Sequence, residues 1–177
     1  MSHSPHFSSI ALSTAMLGIA LAAPGTSAPA VAEPSESAFL QSFAGEWRGQ
    51  GAFRRSPRHE PESVVCRANA SVNGTHELQI GGRCGGEGFT GTFRITAQYD
   101  PASDTYTALF AGPPSVGSSQ LAGHRENGNL QLSVNHPGQP PSTLQIAQQS
   151  QSAFRIHSRT TSGQETFTSA EIHLQRQ

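Results

Sequence analysis

The sequence has 177 residues, 34% hydrophobic and 13% charged, with 18 Gly and 12 Pro. That length is a prior for one domain, and the turn-rich, weakly charged mix suits a compact β domain rather than a helical bundle or a disordered chain. The formal net charge of −1 leaves no long-range field to steer nucleic acid or an anionic membrane, and every basic residue is Arg, which removes Schiff-base and Lys general-base chemistry.

Residues 10–23 form an uncharged apolar run, too short to span a bilayer as a helix. Ala30-Val31-Ala32 follows as a small-x-small cleavage site, so residues 1–32 read as a signal peptide and Glu33 as the mature N-terminus. A cut anywhere between Ala28 and Ala32 fits the same pattern. The stretch ahead of the apolar run carries His3 and His6 but no Arg. No Cys lies near the site for lipid attachment, and no later stretch is long and apolar enough for a membrane span. The expected location is periplasmic or secreted.

Residues 33–45 are expected to hold one short helix. Ser35 is a candidate N-cap, Phe39 and Phe43 lie four apart, and Gly45 can end it. The rest, 46–177, reads as strands. The clearest is 89–99: Phe89, Gly91, Phe93, Ile95, Ala97 and Tyr99 share one face, and Thr90, Thr92, Arg94, Thr96 and Gln98 the other. A period of two over that length is a half-buried antiparallel strand. The turn cluster 100–104 leads back into Tyr106, Ala108 and Phe110. Alternation elsewhere gives about ten strands: 46–53, 63–72, 78–84, 89–99, 105–110, 118–124, 129–135, 143–149, 153–158 and 167–175. Short connections favour an up-and-down antiparallel β-barrel, which removes sheet edges by closing.

Two cysteines in an exported chain read as one disulfide, Cys66–Cys84. Parity supports it. If Cys66 faces Cys84 across an antiparallel pair, Val72 faces Leu78, Ala70 faces Ile80 and Ala68 faces Gly82, so apolar meets apolar throughout. The tighter turn that Asn73-Gly74 alone would suggest sets Ala70 against Glu77 instead.

Two motifs carry a family resemblance. Gly45-x-Trp47 after a short helical turn resembles the opening of lipocalin-like (calycin-type) barrels. In that group the Trp closes the barrel floor and an Arg on the last strand packs over it. The resemblance implies that Trp47 and Arg176 do so here, and Arg176 has the strand phase of Ile172 and Leu174. The second motif, Ala97-Gln-Tyr-Asp-Pro101 with Tyr106 beyond it, looks like the Tyr-Asp-Pro hairpin of exported bacterial lipocalin-like proteins. Residues 111–117 and 136–141 are Pro/Gly loops without a matching signature.

Candidate chemistry is sparse. His59, His76 and His136 fall in loops, His157 and His173 on polar strand faces, and the phase of His124 is unset. Lipocalin-like barrels of the nitrobindin type hold haem through a His near the C-terminal strands, but His157 or His173 would serve only if the phase were shifted by a bulge, so no cofactor is expected. Two Cys without His at ligand spacing make no metal site. No nucleophile elbow occurs, Asp100 and Asp104 share a turn, and the Glu residues sit mostly at loops or strand ends, so no catalytic residue and no enzyme are expected. Arg54, Arg55 and Arg58 form a small basic loop that Glu60 and Glu62 offset. Asn69-Ala-Ser71 and Asn73-Gly-Thr75 match a glycosylation pattern and read as turn chemistry.

The inward set mixes large and small side chains. Phe53, Phe93, Tyr99, Tyr106, Phe110 and Phe154 are the expected cavity-lining residues. Small inward residues such as Gly91, Ala108 and Ala170 leave a pocket or let the barrel flatten, and the sequence does not choose. The leading expectation is a binding module for a small apolar ligand. The alternative is an envelope interaction protein or a protease-inhibitor-like barrel, whose tail would be residues 33–38.

Overall fold

The computed structural model describes residues 35–88, 90–114, 116–134 and 141–177. The expected leader and cleavage site, the expected mature N-terminus Glu33, Phe89 and His136 lie outside them. Helix α1 spans Glu36–Gln41, with the Ser35 hydroxyl accepting from the Ala38 N–H as its N-cap. Ten strands follow: β1 Gly45–Phe53, β2 Glu62–Asn73, β3 Glu77–Gly85, β4 Thr90–Asp100, β5 Thr105–Ala111, β6 Ser118–Glu126, β7 Asn129–Val134, β8 Ser142–Ser150, β9 Ala153–Ser162 and β10 Glu165–Arg176. Each pairs antiparallel with the next, and β1 pairs with β10, so the sheet closes into an all-β, up-and-down barrel.

The period-two reading holds in detail. On β2, Val64, Cys66, Ala68 and Ala70 are buried while Ser63, Val65, Arg67 and Asn69 are exposed. Cys66 faces Cys84, Ala68 faces Gly82, Ala70 faces Ile80 and Val72 faces Leu78, and the disulfide forms between neighbouring strands. In a chain-entropy picture a loop of this size is worth about 3 kcal/mol. Gly82 meets Phe93 in the next register step, and a Cβ on it would lie 2.7 Å from the Phe93 ring. The missing side chain is the space the ring occupies. In the β4–β5 turn, the Asp100 carboxylate accepts from the Ala102 N–H at 2.9 Å and the Ser103 hydroxyl at 2.8 Å. These bonds, the backbone one first, hold its pKa below the ordinary value.

The two residues singled out from the family resemblance meet at the seam between the first and last strands. Trp47 and Arg176 are register partners across β1 and β10, and the guanidinium carbon sits 4.3 Å from the indole centroid. The Trp47 indole N–H donates to the Phe43 carbonyl at 2.8 Å. Arg176 donates to the carbonyls of Ser42, at 2.8 Å, and Ala44. Gly45 explains the first half of its motif. Its φ is +134°, a region L side chains rarely adopt, and a Cβ there would lie 2.5 Å from Arg176 Nη1.

The strand phase also sets Arg48 beside Arg67 and Arg67 beside Arg83, three exposed arginines in one row across β1, β2 and β3. Like charges directly opposite oppose sheet formation. Arg67→Gln should therefore raise the melting temperature at low ionic strength, and the gain should shrink as salt screens the row. A melting temperature unchanged or lowered at low salt would contradict this.

Candidate functional site

The barrel interior divides along its axis. At the end carrying α1, large side chains pack against one another. Phe39 and Phe43 meet edge-to-face at 5.2 Å, Phe43 and Phe154 at 5.4 Å, and Trp47 and Phe154 at 4.6 Å. Tyr106, Leu78, Ile80, Leu130 and Ile146 are fully buried in the same cluster.

An ion pair fastens the helix over this floor. Arg125 Nε lies 3.0 Å from Glu36 Oε2, both side chains are only 15% exposed, and the guanidinium sits 5.1 Å over the Phe39 ring. The Tyr106 hydroxyl donates to Glu36 Oε1. Burial raises the Tyr106 pKa well above the ordinary value, and the hydrogen bond to Glu36 adds to the rise. None of these roles is visible in the sequence, because Glu36 and Tyr106 are 70 residues apart.

The other end is hollow. A cavity of about 480 Å³ opens there, lined by Phe53, Phe93, Phe110, Phe167, Ile95, Leu121, Ile156 and Ile172 among others. Its mouth is framed by Arg54 and Arg55 after β1 and by Pro113, Val116 and Gly117 between β5 and β6. Phe53, Phe93 and Phe110 are thus where the strand phase expects them. Tyr99, Tyr106 and Phe154, expected to line a cavity with them, do not. Tyr106 and Phe154 are packed into the floor, and the Tyr99 ring lies tilted against Tyr106 at 5.1 Å while its hydroxyl donates to Asp104 at 2.9 Å. Parity assigns a residue to a face, not to a depth along the barrel, and this correction is one of depth.

Phe167 is a lining residue whose inward aim the sequence reading misses. Its index parity opposes that of Ala170, Ile172 and Leu174, which would aim it outward. A bulge between Thr168 and Ala170 inserts Ser169 as an extra residue and reverses the phase, so Phe167 is buried and lines the cavity. Arg54 lies 5.9 Å over the Phe167 ring, and its Nε donates to the His59 carbonyl at 2.7 Å. Arg55 pairs with Glu62 at 3.2 Å. The rim cations are therefore already engaged with the loop 54–61 and with β2.

One wall is polar. Ser142 donates to Thr160 at 3.2 Å, Thr160 to Ser169 at 3.0 Å, and Ser169 to Ser158 at 3.0 Å, and all four residues line the cavity. No His is among the lining residues described. His157 and His173 stand on the outer face, so neither is placed to ligate a metal inside the barrel.

No protein-family model matches the chain, and neither does any curated protein. Solved structures do. Rv2717c from M. tuberculosis is 15% identical with a TM-score of 0.60, covering 81% of this chain and 98% of that one. The S-type phycobiliprotein lyase CPES from Guillardia theta is 11% identical with a TM-score of 0.56, covering 79% and 91%. At these identities the likeness establishes the lipocalin-like fold.

His157 gives the outer face a pH response. Burial holds its pKa below the ordinary 6.5; Glu171 opposes this, and Arg155 and Arg159 reinforce it. As pH falls through that value the unfolded chain takes up a proton before the folded one, so the group's contribution is complete above it and is lost below it. The melting temperature should fall between about pH 7 and about pH 5, and less steeply in His157→Gln. An equal slope in both proteins would contradict the assignment.

Proposed function

We propose that this protein is a non-catalytic, exported binding module that holds a small, mostly apolar ligand in the open half of its barrel. The carrying observation is the cavity itself. Its volume of about 480 Å³ falls within the range of small-molecule sites, and it is walled mainly by aromatic and aliphatic side chains with a few convergent polar groups. The packed floor makes it a blind pocket rather than a channel. Shared fold with a phycobiliprotein lyase does not by itself bring a ligand, so the reading rests on the cavity. Export is supported by the disulfide, which persists in oxidising compartments, and by the leader-like pattern of residues 10–32.

The inhibitor-like alternative needs a projecting N-terminal tail. From Glu36 onward the chain is instead held down by Arg125 and Tyr106, which favours the ligand-holding reading.

A neutral fluorescent probe, 1-aminoanthracene, tests this. Saturable binding of one probe per chain with a blue-shifted emission is expected. Ala170→Phe, which fills part of the cavity without touching the floor, should weaken binding at least about tenfold while the protein still melts cooperatively. Non-saturable binding, or binding indifferent to Ala170→Phe, would overturn the proposal.

A further inference from the structure

The four hydroxyls on the cavity wall form a directed chain. Ser142 stands at the start of β8, near the mouth, and donates to Thr160; Thr160 donates to Ser169, and Ser169 to Ser158. The ladder spans β8, β9 and β10, and it exists because the bulge turns Ser169 into the same interior as Ser158 and Thr160. Ser158 lies on β9 one inward position further from the mouth than Thr160 and next to Ile156. Its oxygen accepts from Ser169, but among the described residues its own O–H meets no acceptor. Each bond in such a chain polarises the next, so the terminal hydroxyl is the strongest donor of the four.

The surroundings limit what can accept this proton. Below Ser158 the wall is Ile156 and Ile172, and the cations that border the cavity, Arg54 and Arg55, sit at the rim in contacts of their own. A carboxylate carried to the depth of Ser158 would lose its hydration with no cation beside it among the described residues, which costs several kcal/mol. A purely hydrocarbon ligand would leave the donor dry and unpaired. A neutral oxygen acceptor meets neither penalty.

We propose that the Ser142–Thr160–Ser169–Ser158 ladder is a polar subsite, and that the ligand is an uncharged amphipathic molecule whose carbonyl or ether-type oxygen accepts from Ser158. This rests on the reading of the open half-barrel as a ligand site and adds the ligand's chemistry to it.

The test is competition against bound 1-aminoanthracene by three matched chains: 2-undecanone, undecane and undecanoate. Ser158→Ala should weaken 2-undecanone by about tenfold, one hydrogen bond's worth, and leave undecane unchanged. The infrared carbonyl stretch of bound 2-undecanone should lie below its value in hexane in the natural protein and return toward it in Ser158→Ala. The wild-type spectrum decides the matter alone if the variant does not fold: a stretch at the hexane value overturns the subsite. Equal effects of Ser158→Ala on ketone and alkane would also overturn it, because a merely structural ladder loosens both. Undecanoate binding tighter than the ketone and indifferent to Ser158→Ala would move the polar head to a cation at the rim and overturn it too. In each of these cases the probe still binds. Failure of 1-aminoanthracene to bind at all removes the ligand site itself, and the subsite with it.

Discussion

A closed sheet has one seam that joins its first and last strands, and here that seam is finished by Arg176 over Trp47. The guanidinium lies over the indole and spends its N–H groups on the carbonyls of Ser42 and Ala44 at the foot of α1, and of Gln151 in the turn between β8 and β9. One side chain thus ties together the end of the last strand, the entry to the first, the helix and a neighbouring hairpin. The contact needs Gly45, since any side chain there would strike the guanidinium. It also fixes Trp47 edge-on to Phe154, and Phe154 edge-on to Phe43. The floor grows outward from this latch.

What lies above the floor follows from side-chain volume. Trp47, Phe43, Phe154 and Tyr106 fill the end covered by α1, and Glu36 with Arg125 holds the helix there. Toward the other end the inward positions on several strands become small or hydroxylic: Gly91, Ser119, Ser158, Thr160, Ala170. A barrel of this many strands needs large residues at every level to be solid. Here Phe53, Phe93, Phe110 and Phe167 line the wall of the open end, and the small positions among them leave a cup above the core. The cavity follows from how side-chain volume is distributed along strands whose faces were already assigned.

The strand phase was legible in the sequence because alternation is a local property. It gave the Cys66–Cys84 register, the inward aim of Phe53, Phe93 and Phe110, and, with the family resemblance, the pairing of Trp47 with Arg176. Three things were not legible. Depth was not, since a two-residue period says nothing about which end of a tilted strand lies near the floor; Tyr99, Tyr106 and Phe154 were assigned to the right face and the wrong level. The bulge at Ser169 was not, since one extra residue leaves no compositional mark, yet it reverses the aim of Phe167 and creates the hydroxyl ladder. The Glu36–Arg125–Tyr106 network was not, because it joins residues distant in sequence through a helix docking that no local pattern records.

A double-mutant cycle on the latch tests the account at its base. Trp47→Phe, Arg176→Gln and the double variant would be compared by urea unfolding. If Arg176 acts through the indole face, the two substitutions are coupled by about 1 kcal/mol, in the range of a partly shielded cation over an aromatic ring. Additive effects would mean that Arg176 and Trp47 stabilise the barrel separately, and that closure does not depend on their contact.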